Sequence, residues 1–266
     1  MINKRVTVPE IRERKALKKT ISAITAYDYS FAKIVDSAGI DIVLVGDSLG
    51  CVIQGHETTL SVTLEEVIYH TRCVSRGLER ALLVADLPFL SYQVSIEQAV
   101  LSSGRLIKEG GAHAVKLEGG TVMEATIAQL VNLDIPVMGH IGLTPQSYHR
   151  MGGHRMQGKT HDQQGLSAGS YERLLQDAQA VERAGAFAVV LEGIPAGLAA
   201  EISAKIAIPT IGIVAGDSCD GQIRVLYDLL GLTHAGAPAS LAAIDSQSLD
   251  IVNKLKLFYN IFDIQV

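Results

Sequence analysis

Three segments of this chain repeat one local plan: a helix closed by glycine runs directly into a short apolar strand that ends in an acidic residue. They read AGIDIVLVGD (38–47), GGAHAVKLEG (110–119) and AGAFAVVLEG (184–193). Two more, LDIPVMGHIG (133–142) and IAIPTIGIVAG (206–216), enter the strand through Ile-Pro. Glycine suits the end of a helix because it accepts the left-handed cap conformation without a Cβ penalty. Apolar runs placed on strands Ile21–Tyr27, Ile42–Gly46, Ala81–Ala85, His113–Leu117, Ile135–Gly139, Phe187–Leu191 and Thr210–Ala215 are long enough to be buried on both faces. Amphipathic stretches separate them. In SYERLLQDAQAVERAGA (170–186), Leu174, Leu175 and Ala178 follow the spacing of one helix face. Doubly buried strands alternating with helices indicate a parallel sheet.

An eighth element near Ile223–Leu230 reads as strand or helix. Seven or eight such units in 266 residues match a (β/α)8 TIM barrel in the α/β class, one domain over residues 1–266 with a short N-terminal helical segment. A doubly wound sheet is the alternative, but the first strand–helix turn lacks a Gly-x-Gly-x-x-Gly fingerprint.

Composition narrows the function. With 48% apolar residues and a net charge of −5, the chain has a sizeable core and no general attraction for nucleic acid or anionic membrane. The three cysteines, Cys51, Cys73 and Cys219, form no CxxC pair, which fits a reducing compartment. The N-terminal stretch is charged throughout and no apolar run reaches membrane-spanning length, so a cytoplasmic protein acting on small molecules is expected.

Ionisable groups gather where the strands end. Strand one is followed by Asp28, strand two by Asp47 and Ser48, and strand three by Asp86. Strand four carries Lys116 and ends in Glu118, strand five ends in His140 and strand six in Glu192. Taken singly, each has an ordinary reading: Asp28, Asp47 and Ser48 as helix caps, Asp86 closing a turn, Lys116 and Glu118 as an ion pair, His140 as a core histidine. In a barrel all six ends share one face, where catalytic groups sit, and common strand parity aims them inward. Asp47 and Asp86 offer the hard oxygen ligands that Mg²⁺ prefers. A 2-oxo acid chelating that cation, with Lys116 balancing its charge, acquires an acidic C–H next to the ketone. Glu192, following an apolar run whose partial burial raises a carboxylate's pKa, is placed to remove that proton.

Other features are weaker. His149, His154 and His161 in the long segment 147–170 match no common zinc spacing. GIVAG (212–216) is too short to establish a phosphate cradle, and Cys51 reads as a small buried filler.

The motifs ITAYDYSFAKI, VLVGDSLG, QGHETTLSVT, VADLPF, VKLEGG, GHIGLTPQS and VVLEGIP run in order from about Thr20 to about Gly231 and closely resemble the ketopantoate hydroxymethyltransferase family. The resemblance implies a (β/α)8 barrel in a homo-oligomer, typically a decamer. It implies one-carbon transfer from 5,10-methylenetetrahydrofolate to 3-methyl-2-oxobutanoate, giving 2-dehydropantoate on the route to pantothenate and coenzyme A. It further implies Mg²⁺ on Asp47 and Asp86 with Glu118 nearby through water. Substrate contacts would come from Asp47, Ser48, Asp86, Lys116 and His140, with Glu192 as proton acceptor. Two departures stand out: Val214 replaces a family glycine, and beyond Leu232 the usual Pro-Lys-Phe segment gives way to THAGAPASLAAIDSQ. Two other functions fit the same polar ends: a Mg²⁺-dependent 2-oxo-acid C–C lyase, which would be expected to carry a lid cysteine motif, and a barrel without turnover that acts as a binding protein.

Overall fold

The computed structural model describes residues 5–162, 164 and 167–232. Its elements, in chain order, begin with α1 (Val8–Ala16), β1 (Ile21–Thr25), α2 (Tyr29–Ser37), β2 (Ile42–Val45), α3 (Leu49–Val52), α4 (Leu64–Ser75), β3 (Leu82–Asp86), α5 (Ile96–Lys108) and β4 (Ala114–Glu118). They continue with α6 (Glu124–Asn132), β5 (Val137–Gly142), α7 (Tyr148–Met151), α8 (Tyr171–Arg183), β6 (Ala188–Glu192), α9 (Ala196–Lys205), β7 (Thr210–Ile213), β8 (Gly221–Arg224) and α10 (Leu226–Leu229). All eight strands pair in parallel, each with its neighbours in sequence, and β8 closes onto β1. The expected barrel is therefore the observed fold.

Strand alternation divides the core in two. Ile21, Ala23, Ile42, Leu44, Leu82, Val84, Ala114, Met138, Val190 and Ile211 fill the barrel interior. Val43, Val45, Leu83, Val115, Val137, Val189 and Leu191 face outward under the helices. Local signals set the helix limits. Ser95 and Ser170 accept from the backbone N–H three residues on, and Thr63 with Glu66 forms a capping box. Gly39, Gly111 and Gly185, the glycines of the three repeated segments, all adopt left-handed φ between 79° and 90°.

The N-terminal end of the barrel is closed by charge. Asp41 is fully buried and takes paired bonds from Arg14 at 2.6 and 2.8 Å, with Arg80 at 2.8 Å and Ser22 at 2.9 Å completing its shell. These contacts pin α1 across the end opposite the site.

The ambiguous eighth element resolves into both of its readings. The strand lies earlier, at Gly221–Arg224, and Leu226–Leu229 is helical. A glycine start and a polar Gln-Ile-Arg sequence concealed so short a strand. The altered segment from Thr233 onward lies outside the described residues.

Val214 adopts φ +51°, in the left-handed region. A β-branched residue there is strained, at a typical cost of about 1–3 kcal/mol. Replacing Val214 with glycine removes that strain but adds unfolded-state entropy. The expected net gain is about 1 kcal/mol, read as a Tm higher by roughly 2–4 °C in a thermal melt. An unchanged or lower Tm would show that the side chain's packing outweighs the strain.

Candidate active site

Strand register builds the site. Asp86 pairs with Lys116, Glu118 with His140, and Gly142 with Glu192, so the inward positions of β3 to β6 stack their ionisable groups around the C-terminal mouth. The expected common parity holds for Asp86, Lys116, Glu118, His140 and Glu192. It fails for Asp47, because the inward position on its strand belongs to Gly46. A Cβ at Gly46 would stand 2.7 Å from Ser48 Oγ and 3.4 Å from Asp86 Oδ2. Glycine there lets the chain turn sharply, and the Asp47 N–H donates to Asp86 Oδ2 at 3.0 Å. Asp28 sits apart from this group: it caps α2, accepting from the Phe31 N–H at 2.9 Å.

The cluster is buried and charged. Asp47, Asp86, Lys116, Glu118 and His140 are each at least nine-tenths buried. Lys116 Nζ lies 2.7 Å from Asp86 Oδ1 and 3.2 Å from His140 Nδ1. Burial opposes the Lys116 charge, but Asp86, Glu118 and Asp47 outweigh it and raise its pKa. Asp86 is pushed up to about 7, chiefly by burial and further by the Asp47 charge, against the pull of Lys116. Burial and the Asp47 charge also lift the Glu118 carboxyl well above the usual range.

His140 links the cluster to Glu192. An ammonium at Nδ1 requires that nitrogen to accept, which leaves the proton on Nε2, 3.1 Å from Glu192 Oε2. Burial and Lys116 lower the His140 pKa, so the ring stays neutral near pH 7. Glu192 itself is about one-fifth exposed and borders the cavity. That cavity has a volume of about 100 Å³ and reaches Thr25, Ser48, Pro145, Val190 and Ile213 as well as the charged groups. Its volume approaches that of engineered cavities that hold benzene. Ser48 makes no capping bond; its hydroxyl instead meets Tyr27 at 2.8 Å.

Gln146 is the main residue that charge and strand-end reasoning missed. Its Nε2 donates to Asp47 Oδ2 and to the Leu87 carbonyl, both at 2.9 Å, and its backbone N–H donates to Glu118 Oε2 at 3.0 Å. Its Oε1 accepts from Tyr92 and Gln93. One uncharged residue thus fixes two carboxylates, one in the turn after β2 and one at the end of β4. Its only signal in the sequence was membership of GHIGLTPQS, where glutamine follows a turn-forming proline.

Three carboxyl groups face one ammonium, and the raised pKa values of Asp86 and Glu118 mark a place that holds either protons or a cation. Glu118 Oε1 is buried with no hydrogen-bond partner. Among the described residues, no group of three or more His, Cys, Asp or Glu side chains converges closely enough to hold a metal alone. Two carboxylates completed by water and substrate oxygens are, however, the usual Mg²⁺ arrangement. The donor set fits such a cation. The loop histidines do not form a site: His161 pairs with Glu172 at 2.9 Å, while His149 and His154 pack edge-on against Tyr148. Burial and the Asp47 charge push the Cys51 thiol up, away from reactivity.

The ketopantoate hydroxymethyltransferase family profile matches residues 5–258. A 3-methyl-2-oxobutanoate hydroxymethyltransferase of Pelobacter propionicus is 55% identical over 237 residues, covering 89% of this chain and 85% of the relative. That of Syntrophotalea carbinolica is 58% identical, covering 89% and 86%. Among solved structures, a phosphonopyruvate hydrolase superposes with TM-score 0.62 at 12% identity over 98% of each chain. A 2,3-dimethylmalate lyase gives TM-score 0.59 at 15% identity, covering 97% of this chain and 96% of its own. At such identities the likeness concerns the fold alone.

Proposed function

The chain belongs to the ketopantoate hydroxymethyltransferase family, and from that premise we propose that it transfers a hydroxymethyl group from 5,10-methylenetetrahydrofolate to 3-methyl-2-oxobutanoate, giving 2-dehydropantoate. The observation that carries the reading is the buried chain of contacts from Asp86 through Lys116 and His140 to Glu192. Asp47 and Asp86 would hold Mg²⁺, with Glu118 beside it. When bound, the cation polarises the keto group and makes the neighbouring C–H acidic.

The protein's own groups do the rest. Lys116 neutralises the carboxylate of the oxo acid. Glu192 takes the C3 proton, and neutral His140, with Nε2 3.1 Å from that carboxylate, stands beside it. The C3 electron pair forms the new bond to the donor's methylene carbon, both bonds from that carbon to the donor's two nitrogens break, and the two nitrogens take up the proton removed from C3 and one proton of water. Water supplies the hydroxyl oxygen, and the donor leaves as tetrahydrofolate. A single domain over residues 1–266, assembly of identical subunits and a cytoplasmic location belong to the same proposal. No helix among the described residues is long and apolar enough to cross a membrane.

The half-reaction is separately measurable. In D₂O with Mg²⁺ and no donor, the protein should exchange the C3 proton of 3-methyl-2-oxobutanoate, followed by proton NMR. Absence of exchange in metal-loaded protein that binds the acid would overturn the proton-abstraction reading. A C–C lyase would instead consume a longer oxo acid and release two fragments.

Mg²⁺ should also stabilise the protein more as pH rises. A carboxyl whose folded pKa is raised, as at Asp86, contributes stability below its unfolded pKa and loses it as pH climbs through about 7. Above that pH the cation replaces the missing proton. Millimolar Mg²⁺ is expected to raise the Tm by roughly 5 °C or more at pH 8 and hardly at all at pH 5. An equal shift at both pH values would place the cation elsewhere.

A further inference from the structure

The carboxamide of Gln146 has no hydrogen-bonding capacity to spare. Its Nε2 donates to Asp47 Oδ2 and the Leu87 carbonyl, and its Oε1 accepts from Tyr92 and from Gln93 Nε2, each at 2.9 Å. Two donors and an oxygen with two lone pairs are all that an amide side chain offers. Its orientation is forced as well. The Leu87 carbonyl can only accept, so the NH₂ must face Leu87 and Asp47, and the oxygen must face Tyr92 and Gln93.

Tyr92 and Gln93 stand on the loop between β3 and α5, which is itself pinned. Ser91 Oγ donates to the Pro88 carbonyl at 2.6 Å, Ser102 Oγ to the Ser91 carbonyl at 2.7 Å, and Gln98 Nε2 to the Leu90 carbonyl at 3.0 Å. Leu90 adopts φ +63°, uncommon for a residue other than glycine, and two positions on Tyr92 is buried. The Tyr92 hydroxyl also accepts the Glu118 N–H at 3.1 Å. One hydroxyl thus meets both the Gln146 amide and the backbone of a carboxylate that Gln146 holds.

Each carboxylate gives Gln146 one oxygen. Asp47 Oδ2 meets the side chain, and Glu118 Oε2 meets the backbone N–H at 3.0 Å. Glu118 Oε1 is buried with no hydrogen-bond partner. Resting on the cation placement proposed above, we infer that Gln146, locked by Tyr92 and Gln93, is a positioning residue for the metal. It anchors one oxygen of Asp47 and one of Glu118, and so presents the other oxygen of each to the cation and its water. Carboxylates already held in place lose less freedom when the ion binds, which is how such outer partners strengthen a metal site. The loops after β3 and β5 thereby set the affinity of a site whose acidic groups lie on other turns and strand ends.

Two variants test this: Gln146→Met keeps the side chain's length without its polar atoms, and Tyr92→Phe removes one hydroxyl. Mn²⁺ binding is followed by electron paramagnetic resonance without substrates, and a circular dichroism melt checks folding. The Mn²⁺ dissociation constant is expected to rise about 10–100-fold in Gln146→Met. Loss of one hydrogen bond in Tyr92→Phe should raise it about fivefold. Donor-free C3 exchange should then need correspondingly more Mg²⁺ to reach half its maximal rate, and excess Mg²⁺ should recover most of that rate. A merely structural role would lower the rate at every Mg²⁺ concentration. Mn²⁺ affinity within about twofold of the unaltered protein in Gln146→Met, or in Tyr92→Phe should the first not fold, would overturn the inference. Failure of the unaltered protein to form product while these affinities shift would remove the hydroxymethyltransferase reading and uphold the positioning role.

Discussion

Replacing Glu192 with glutamine is expected to reduce C3 deuterium exchange and product formation by about 10²–10⁴-fold, the usual contribution of a positioned general base. Glutamine keeps the shape and the neighbourhood of His140 Nε2, which lies 3.1 Å from the carboxylate. It cannot accept a proton. Binding of Mg²⁺ and the oxo acid should persist, because the groups that bind them lie on β3 and β4 and in the turn after β2. Calorimetric titration with the acid checks the second part, and NMR exchange the first. Exchange at the unaltered rate would show that another group is the base.

Asp86→Asn should have an effect of similar size for a different reason. It removes one of two carboxylates available to the cation and the partner that Lys116 meets at 2.7 Å. Several kcal/mol of charge stabilisation supplied through the metal corresponds to roughly a thousandfold in turnover. Unlike the Glu192 variant, this one should also lose metal affinity, measurable with Mn²⁺ by electron paramagnetic resonance. Its side-chain oxygen can still accept from the Asp47 N–H, so the fold should survive. Asp28→Asn is the control. Asn caps a helix as well as Asp does, and Asp28 lies in the α2 cap outside the buried cluster, so metal affinity should not move. Equal metal affinity in the Asp86 variant would exclude it as a ligand.

The barrel was legible because its elements announce themselves locally. Glycine-ended helices feeding doubly buried strands recur at 38–47, 110–119 and 184–193. Where local chemistry was thin, as in the polar four-residue β8, the element's limits were not readable. Strand parity placed Asp86, Lys116, Glu118, His140 and Glu192 correctly, since their strands are regular to their ends. It misplaced Asp47, whose position depends on a turn that only glycine at 46 permits. Asp28 shows the opposite case: an acidic strand end that is only a cap. Gln146 and Tyr92 were not legible as site residues, because neither carries charge and their role rests on contacts made across 26 to 99 positions of chain. Charge marks the groups that do chemistry more clearly than those that hold them.

The central claim is tested most directly by incubating the purified chain with Mg²⁺, 3-methyl-2-oxobutanoate and 5,10-methylenetetrahydrofolate and quantifying 2-dehydropantoate by mass spectrometry. The account predicts one equivalent of product for each equivalent of tetrahydrofolate released, lost on adding a chelator and restored by excess Mg²⁺. Protein that binds both substrates and the cation yet forms no product would contradict it.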